Sequence, residues 1–447
     1  MQENGKIDTK INFSSAAFKR YLANTSWLFV EKILRILIGA VVVISITNYL
    51  GAKDFGLYSY AISYSGIFSV LASLGIENIL TRELIKQPEK QDALLGTAFY
   101  LRLTGSIISL LIIIISLISF STPIFTSVLI LIIAVSTVFQ AFYVVEFFFQ
   151  SKVLAKYPVI AKSSSFFLSS IIKLLLIFLK ADLIYFAIFT TFEFVLLAIG
   201  LVIIYKKQNY NISLWRFDKE LASGLLNDSW PLILSGLVIA VYMYIDQIMI
   251  TNMIGEAANG IYATAIKLCE AFYFIPMVLT SSLFPAIVNA RETSRELYFS
   301  RLQKLYDLLA WIAIAIAVGV TITSEFVITL LYKPEFLPAA DVLTIYIWAG
   351  VATFLGVGSS QYLITENFTR ISFYRTFIGM VANIILNFYM IPAYGINGAA
   401  VATLISYSLA TFSLYFNSKT REQTLMMFKS ILFINLIGLV KGKWLSR

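Results

Sequence analysis

Of 447 residues, 59% are apolar and only 13% are charged, against roughly 45 to 50% and about 25% in soluble domains. With a mean hydropathy of +0.83, this excludes a soluble chain and makes the bilayer its solvent. Histidine is absent and Cys269 is the single cysteine, which removes histidine acid/base catalysis, zinc sites with His or Cys ligands, His-ligated haem and internal disulfides.

Residues 1–20 hold no apolar signal region, so no cleavable signal peptide is expected and the first apolar stretch serves as an uncleaved anchor. Stretches of roughly 20 apolar residues predict twelve spans, at 24–47, 57–80, 96–119, 124–147, 159–179, 184–205, 229–253, 260–285, 306–332, 341–364, 372–391 and 399–416. The stretch 425–440 is shorter and contains Lys429, which favours an amphipathic interfacial helix over a thirteenth span. Placing the N-terminus inside puts most Lys and Arg on the cytoplasmic side, among them Lys6, Lys10, Arg82, Lys206, Lys207, Arg291 and Arg295, while the outer loops keep Lys53, Lys180 and Lys333. Both termini are therefore expected in the cytoplasm. The net charge of +9 reads as this orientation and not as nucleic-acid affinity, because the basic residues are scattered over short loops.

The longest connection, 206–228, divides the chain into a six-span lobe at 1–205 and another at 229–424, followed by a basic tail at 425–447. A repeat supports the division. ITNYLGAKDFGLYSYAI (46–62) aligns without gaps to ITNMIGEAANGIYATAI (250–266), with identities at Ile46, Thr47, Asn48, Gly51, Gly56, Tyr58, Ala61 and Ile62. An even number of spans per half gives both halves one orientation, as in transporters built from parallel repeats. The fold expected is thus an all-α polytopic membrane protein of two six-helix bundles around a central cleft.

Ionisable groups within spans are costly and are functional candidates. In the first span, Lys32 and Arg35 share a face, with Arg35 near mid-membrane; Glu31 can pair with Arg35, leaving Lys32 in surplus. This is either an anion site or a self-neutralised cluster. Asp246 and Lys267 fall at similar depth on spans 7 and 8, which suggests an ion pair, and Glu270 competes for the lysine or carries a proton. Lys173 and Glu193 suggest a structural pair. None of these charges is duplicated by the repeat, so a symmetric scaffold carries asymmetric chemistry. Pro276 is a hinge candidate or a static kink. Trp230, Tyr242, Tyr244, Tyr273 and Trp348 offer flat faces that would suit sugars, but most aromatics here are core or interfacial belt; Cys269 is expected to be a small packer.

The segments YLGAKDFGLYSYAISY (49–64), SLGIENILTREL (73–84), YMYIDQIMI (242–250), NGIYATAIKLCEAFYFIPMVLTSSLFPAIVNAR (259–291) and YGINGAAVAT (394–403) resemble the O-antigen flippases. These form the polysaccharide-transporter branch of the multidrug/oligosaccharidyl-lipid/polysaccharide exporter superfamily. The resemblance implies a V-shaped transporter, not an enzyme and without a cofactor. It would move an undecaprenyl-pyrophosphate-linked oligosaccharide to the periplasmic leaflet of a bacterial inner membrane, among membrane lipids and alongside polysaccharide polymerase and chain-length proteins. By that analogy Lys32, Arg35, Lys267 and Lys173 are substrate-binding candidates, and Asp246, Glu270 and Glu31 couple transport to a proton or ion. The competing expectations are a multidrug/cation antiporter of the same superfamily, which would favour acidic pockets, and an O-antigen polymerase or ligase, whose large periplasmic loop this chain lacks.

Overall fold

The computed structural model describes residues 15–434, with side chains described at Lys32 and from Leu34 onward. All regular structure among these residues is helical, as the bilayer demands of segments that must satisfy their own backbone groups. Among the described residues, ten helices are long and apolar enough to cross a membrane. Two of them, Leu34–Lys86 with 53 residues and Thr369–Phe416 with 48, would reach about 70 to 80 Å if straight, more than twice a hydrocarbon core of about 30 Å. Each is broken by a left-handed glycine, Gly51 (φ 75°, ψ 173°) and Gly395 (φ 60°, ψ −141°). At the second break the chain doubles back, since a Cβ built on Gly398 would lie 2.1 Å from the Met390 carbonyl. Counting both arms of each gives the twelve spans expected.

The repeat is visible in the backbone. Gly255, the counterpart of Gly51, ends span 7 (Lys219–Ile254) with φ 99° and ψ 171°, close to the values at Gly51. Both conformations favour a residue without Cβ. We call the end bearing Gly51, Gly255 and Gly395 the glycine-turn end, and the opposite one the basic end. Each half packs around two apolar clusters, one toward each end, exemplified by Leu129 with Phe186 and Phe148 with Leu201 in the first half. Ile250 with Phe336 and Leu302 with Leu355 are the equivalents in the second. In lipid such packing, rather than water exclusion, holds helices together.

Three expectations are corrected. Span 2 runs over 52–73 and stops at Leu74 and Gly75, both with positive φ; the predicted remainder is a separate amphipathic helix, Glu77–Lys86, burying Ile79, Leu80 and Leu84. Span 8 does break, but at Ala271–Tyr273, between Glu256–Glu270 and Phe274–Thr293. Pro276 occupies the third position of the second piece, where its missing N–H forfeits no helical bond. Pro231 and Pro285, by contrast, lie inside continuous helices. The helix expected at 425–440 runs over Arg421–Ile431 and is docked by polar contacts on span 9 (Arg295–Leu331): Gln303 donates to the Met426 carbonyl at 3.1 Å and Ser430 to Asp307 at 2.7 Å. The remainder of that stretch, 435–440, lies outside the described residues.

The halves are tied at the glycine-turn end. A Cβ on Gly56 would lie 1.8 Å from the Glu256 carbonyl oxygen, and one on its repeat partner Gly260 1.9 Å from that of Ala52. Spans 2 and 8 therefore touch backbone to backbone. Asn259 donates to the Gly56 carbonyl at 2.9 Å, and Asn48 reaches the opposite half, donating to Leu331 O at 2.7 Å and accepting from the Lys333 N–H at 2.9 Å.

Candidate functional site

Asp246 projects from span 7 into the interior of the second half and is 3% exposed. Its carboxylate accepts from Tyr262 (2.8 Å) of span 8, Asn387 Nδ2 (2.6 Å) of span 11 and Thr403 (2.5 Å) of span 12. Asn387 also donates to Asn383 Oδ1 at 3.1 Å, the two asparagines standing one helical turn apart. Asn387 Oδ1 and Asn383 Nδ2 are buried without a hydrogen-bond partner. The cluster thus gathers one negative charge and several neutral oxygens from four helices in a site closed to water. Such a site suits a proton or a small hard cation, whose natural ligands are carboxylate, amide and hydroxyl oxygens.

The ion pair expected between Asp246 and Lys267 does not form. Tyr262, which bonds Asp246, and Lys267 are five residues apart on one helix, about 140° around its axis at 3.6 residues per turn. Equal depth does not make equal direction. Lys267 instead pairs with Glu270 at 2.8 Å, the alternative partner named from the sequence. Both line a cavity of about 250 Å³ whose other wall is Ile36, Gly39, Ala40 and Val43 of span 1. This places the Lys267–Glu270 pair against span 1 of the first half. Arg35 itself lies over the Phe166 ring of span 5 at 5.4 Å, a cation–π placement that holds its guanidinium beside the first half's wall. Lys32 is exposed, and the Glu31 side chain lies outside the described residues.

The structural pair expected in the first half is present, Lys173 to Glu193 at 3.2 Å. Its lysine is thereby committed to a carboxylate. Arg102, 1% exposed, sits over Tyr143 and Phe147, donates to the Ser73 carbonyl at 3.3 Å and lies 4.0 Å from Glu77; it fastens span 3 to the start of the Glu77–Lys86 helix. Cys269 is fully buried, as expected of a packer. Of the aromatics, Tyr242 lies against Tyr407 with ring centroids 4.5 Å apart, Trp348 donates to Thr321 at 3.2 Å, and Trp230 is exposed.

Tyr262, Asn383, Asn387 and Thr403 were not singled out from the sequence, where only ionisable groups were counted. A signal existed for two of them. Asn383 and Asn387 stand four apart within an apolar stretch, one face of a helix, where a bare amide would be costly. Tyr262 is the repeat counterpart of Tyr58, yet Tyr58 bonds Thr190 at 2.5 Å where Tyr262 bonds the carboxylate. The scaffold is repeated and its partners are not.

A family model described as polysaccharide biosynthesis protein matches residues 21–291. A protein described as a probable flippase, AglR, of Haloferax volcanii is 26% identical over 178 residues, a match covering 38% of this chain and 36% of that protein. Among solved structures, the lipid II flippase MurJ in an inward closed conformation superposes with a TM-score of 0.70 at 16% identity, covering 92% of each chain. An inward-facing multidrug resistance MATE family transporter of the MOP superfamily also gives 0.70, at 14% identity over 88% of this chain and 96% of that one. These last two likenesses carry the fold alone: a V-shaped arrangement of two helical bundles around a central cleft.

Proposed function

The chain belongs to the polysaccharide biosynthesis protein family, and from that membership we propose that it flips a polyprenyl-pyrophosphate-linked oligosaccharide across a membrane by alternating access. The match over residues 21–291 carries the reading. The undecaprenyl-linked repeat unit of an O-antigen or related glycan, moved from the cytoplasmic to the outer leaflet of a bacterial inner membrane, is the form that the sequence motifs favour. The uneven spread of Lys and Arg supports placing the basic end and both termini in the cytoplasm, with the 206–228 connection joining lobes 1–205 and 229–424.

A pyrophosphate crosses hydrocarbon slowly because its charge would lose its hydration. A cleft that lends cations to the headgroup while the prenyl chain stays in lipid removes most of that cost, and no bond is made or broken. Lys32, exposed, and Arg35 on span 1 supply those cations in this reading; Lys267 joins them once Glu270 releases it, whereas Lys173 is held by Glu193. Asp246 carries the coupling ion. If the Asn383 and Asn387 amides turn over, Asn387 Oδ1 takes the position that its Nδ2 now fills and accepts there from the Asn383 N–H, and a proton or alkali cation replaces the Asn387 N–H as the partner of the carboxylate. Pro276, just beyond the break at Ala271–Tyr273, lies where span 8 would bend between the tied and open arrangements.

Glutamine at both Lys32 and Arg35 is expected to lower the flipping rate at least about tenfold, the loss of one to two charge-assisted contacts, while membrane insertion and thermal stability stay unchanged. Headgroup accessibility in proteoliposomes measures it, and wild-type flipping by the double variant would remove the anion role from span 1.

A further inference from the structure

Arg375 of span 11 is a cation outside both the span 1 group and the Asp246 cluster. It stands seven residues into the helix that begins at Thr369, about 9 Å from its basic end. Its guanidinium donates to Ser359 Oγ (3.1 Å), Ser360 Oγ (2.6 Å) and the Gly356 carbonyl (3.2 Å), all on span 10. Among the described residues no carboxylate lies within salt-bridge distance of it. Four other cations on or beside the spans do have one: Lys173 has Glu193 (3.2 Å), Lys267 has Glu270 (2.8 Å), Lys162 has Glu146 (2.5 Å) and Arg102 has Glu77 (4.0 Å). Even at the basic surface, Arg291 is paired with Glu366 at 3.0 Å and Arg295 with Glu422 at 3.4 Å. Asp307 of span 9 is engaged by Gln303 and Ser430.

The ionisable groups that face Arg375 are the hydroxyls of Tyr242 and Tyr306. Tyr306 is fully buried, and its hydroxyl has no hydrogen-bond partner. From the other side comes Gln423 of the docked Arg421–Ile431 helix, also fully buried; its Nε2 donates to Ser359 Oγ while its Oε1 has no partner. Turning that amide over would let the Ser359 hydroxyl donate to Oε1 and free an N–H. A guanidinium stays charged in any protein environment; Arg375 is half-buried, and holding it partly out of water without a counter-charge is destabilising. Two unpartnered polar groups beside an uncompensated fork describe a site short of its ligand, and the planar fork suits an oxyanion.

We propose that Arg375, with Ser359, Ser360, Tyr306 and Gln423, binds a phosphate-class oxyanion at the basic end of the second half. The site is separate from the span 1 cations and from Asp246, and the transport reading does not depend on it. The phosphate comes either from solution or from a lipid headgroup.

The test is thermal unfolding of the full chain, in detergent with inorganic phosphate or pyrophosphate added to phosphate-free buffer, and in nanodiscs with or without phosphatidic acid. Wild type is expected to show a saturable rise in Tm of about 2 to 4 °C. A rise with the free anion in detergent identifies a soluble ligand; a rise confined to phosphatidic acid nanodiscs identifies a headgroup. Arg375→Gln removes the rise yet is at least as stable as wild type without phosphate, because an uncompensated charge has gone. Arg375→Lys, which keeps charge and loses the fork, and Ser359→Ala with Ser360→Ala show a reduced rise and carry the test should the glutamine variant not fold. In the Lys32→Gln, Arg35→Gln background, where the span 1 cations are gone, a saturable rise persists and Arg375→Gln removes it. No rise in either setting, an equal rise in Arg375→Gln, or a variant simply less stable with and without phosphate would each overturn the site and leave Arg375 a structural tie between spans 10 and 11.

Discussion

Alanine at Gly260 is expected to open the glycine-turn end and abolish most transport. The added methyl would lie 1.9 Å from the Ala52 carbonyl oxygen and 3.0 Å from the Gly56 N–H nitrogen. Both are backbone atoms that no rotamer change can move, so spans 2 and 8 must separate by more than an ångström. Overpacking of this kind costs about 1 to 3 kcal/mol. Charged only against the tied arrangement, it shifts the balance between tied and open states by about 5- to 150-fold. Gly56→Ala should act alike, since its methyl meets the Glu256 carbonyl at 1.8 Å. The readout is labelling of a cysteine at Ala52, 7% exposed, in a Cys269→Ala background, from the glycine-turn side. Labelling should quicken about tenfold or more in either variant. Gly319→Ala is the control, because nothing lies within 4 Å of the added carbon. Unchanged labelling and transport in both glycine variants would mean that this contact is not a gate.

Asn at Asp246 is expected to uncouple transport from its driving ion. The substitution keeps the side chain's volume but removes the site's single charge and turns one acceptor into a donor, facing Tyr262, Thr403 and Asn387, which all now donate to the carboxylate. Losing one charge-assisted contact of about 1.5 to 3 kcal/mol weakens cation binding about 10- to 100-fold. Wild-type protein should gain thermal stability from sodium or from a lowered pH, whichever supplies the ion, by mass action on the folded state. The variant should lose that gain and show the same flipping rate with and without a gradient. A variant that still responds to the gradient as wild type does would move the coupling elsewhere, with Glu270 the next residue to change.

Much of the fold was legible because the bilayer imposes length and the repeat imposes symmetry. Gly51 and Gly255 were matched as letters, and they share a backbone conformation. The span 2 boundary was missed because Leu74 and Gly75 interrupt a run whose hydropathy continues into an amphipathic surface helix. The site was legible in composition but not in direction. Axial depth follows from residue counting, whereas which face of span 8 meets span 7 is set by packing, and that alone sends Tyr262 to Asp246 and Lys267 to span 1. Arg375 falls near the start of the predicted span 372–391, where residue counting gives no sign that the Ser359 and Ser360 hydroxyls of span 10 engage it. The asparagine pair was passed over because neutral amides carry no formal charge, even though in hydrocarbon they need partners as ionisable groups do.

The most direct test of the account is translocation of a fluorescent polyprenyl-pyrophosphate oligosaccharide in proteoliposomes, scored by exposure of its headgroup to a membrane-impermeant glycosidase, with and without a proton or sodium gradient. A flippase gated at the glycine-turn end should give protein-dependent exposure that quickens with one of the two gradients in wild type and is lost with Gly260→Ala. Folded protein that moves none of several such glycans, yet extrudes a cationic drug against the same gradient, would contradict it.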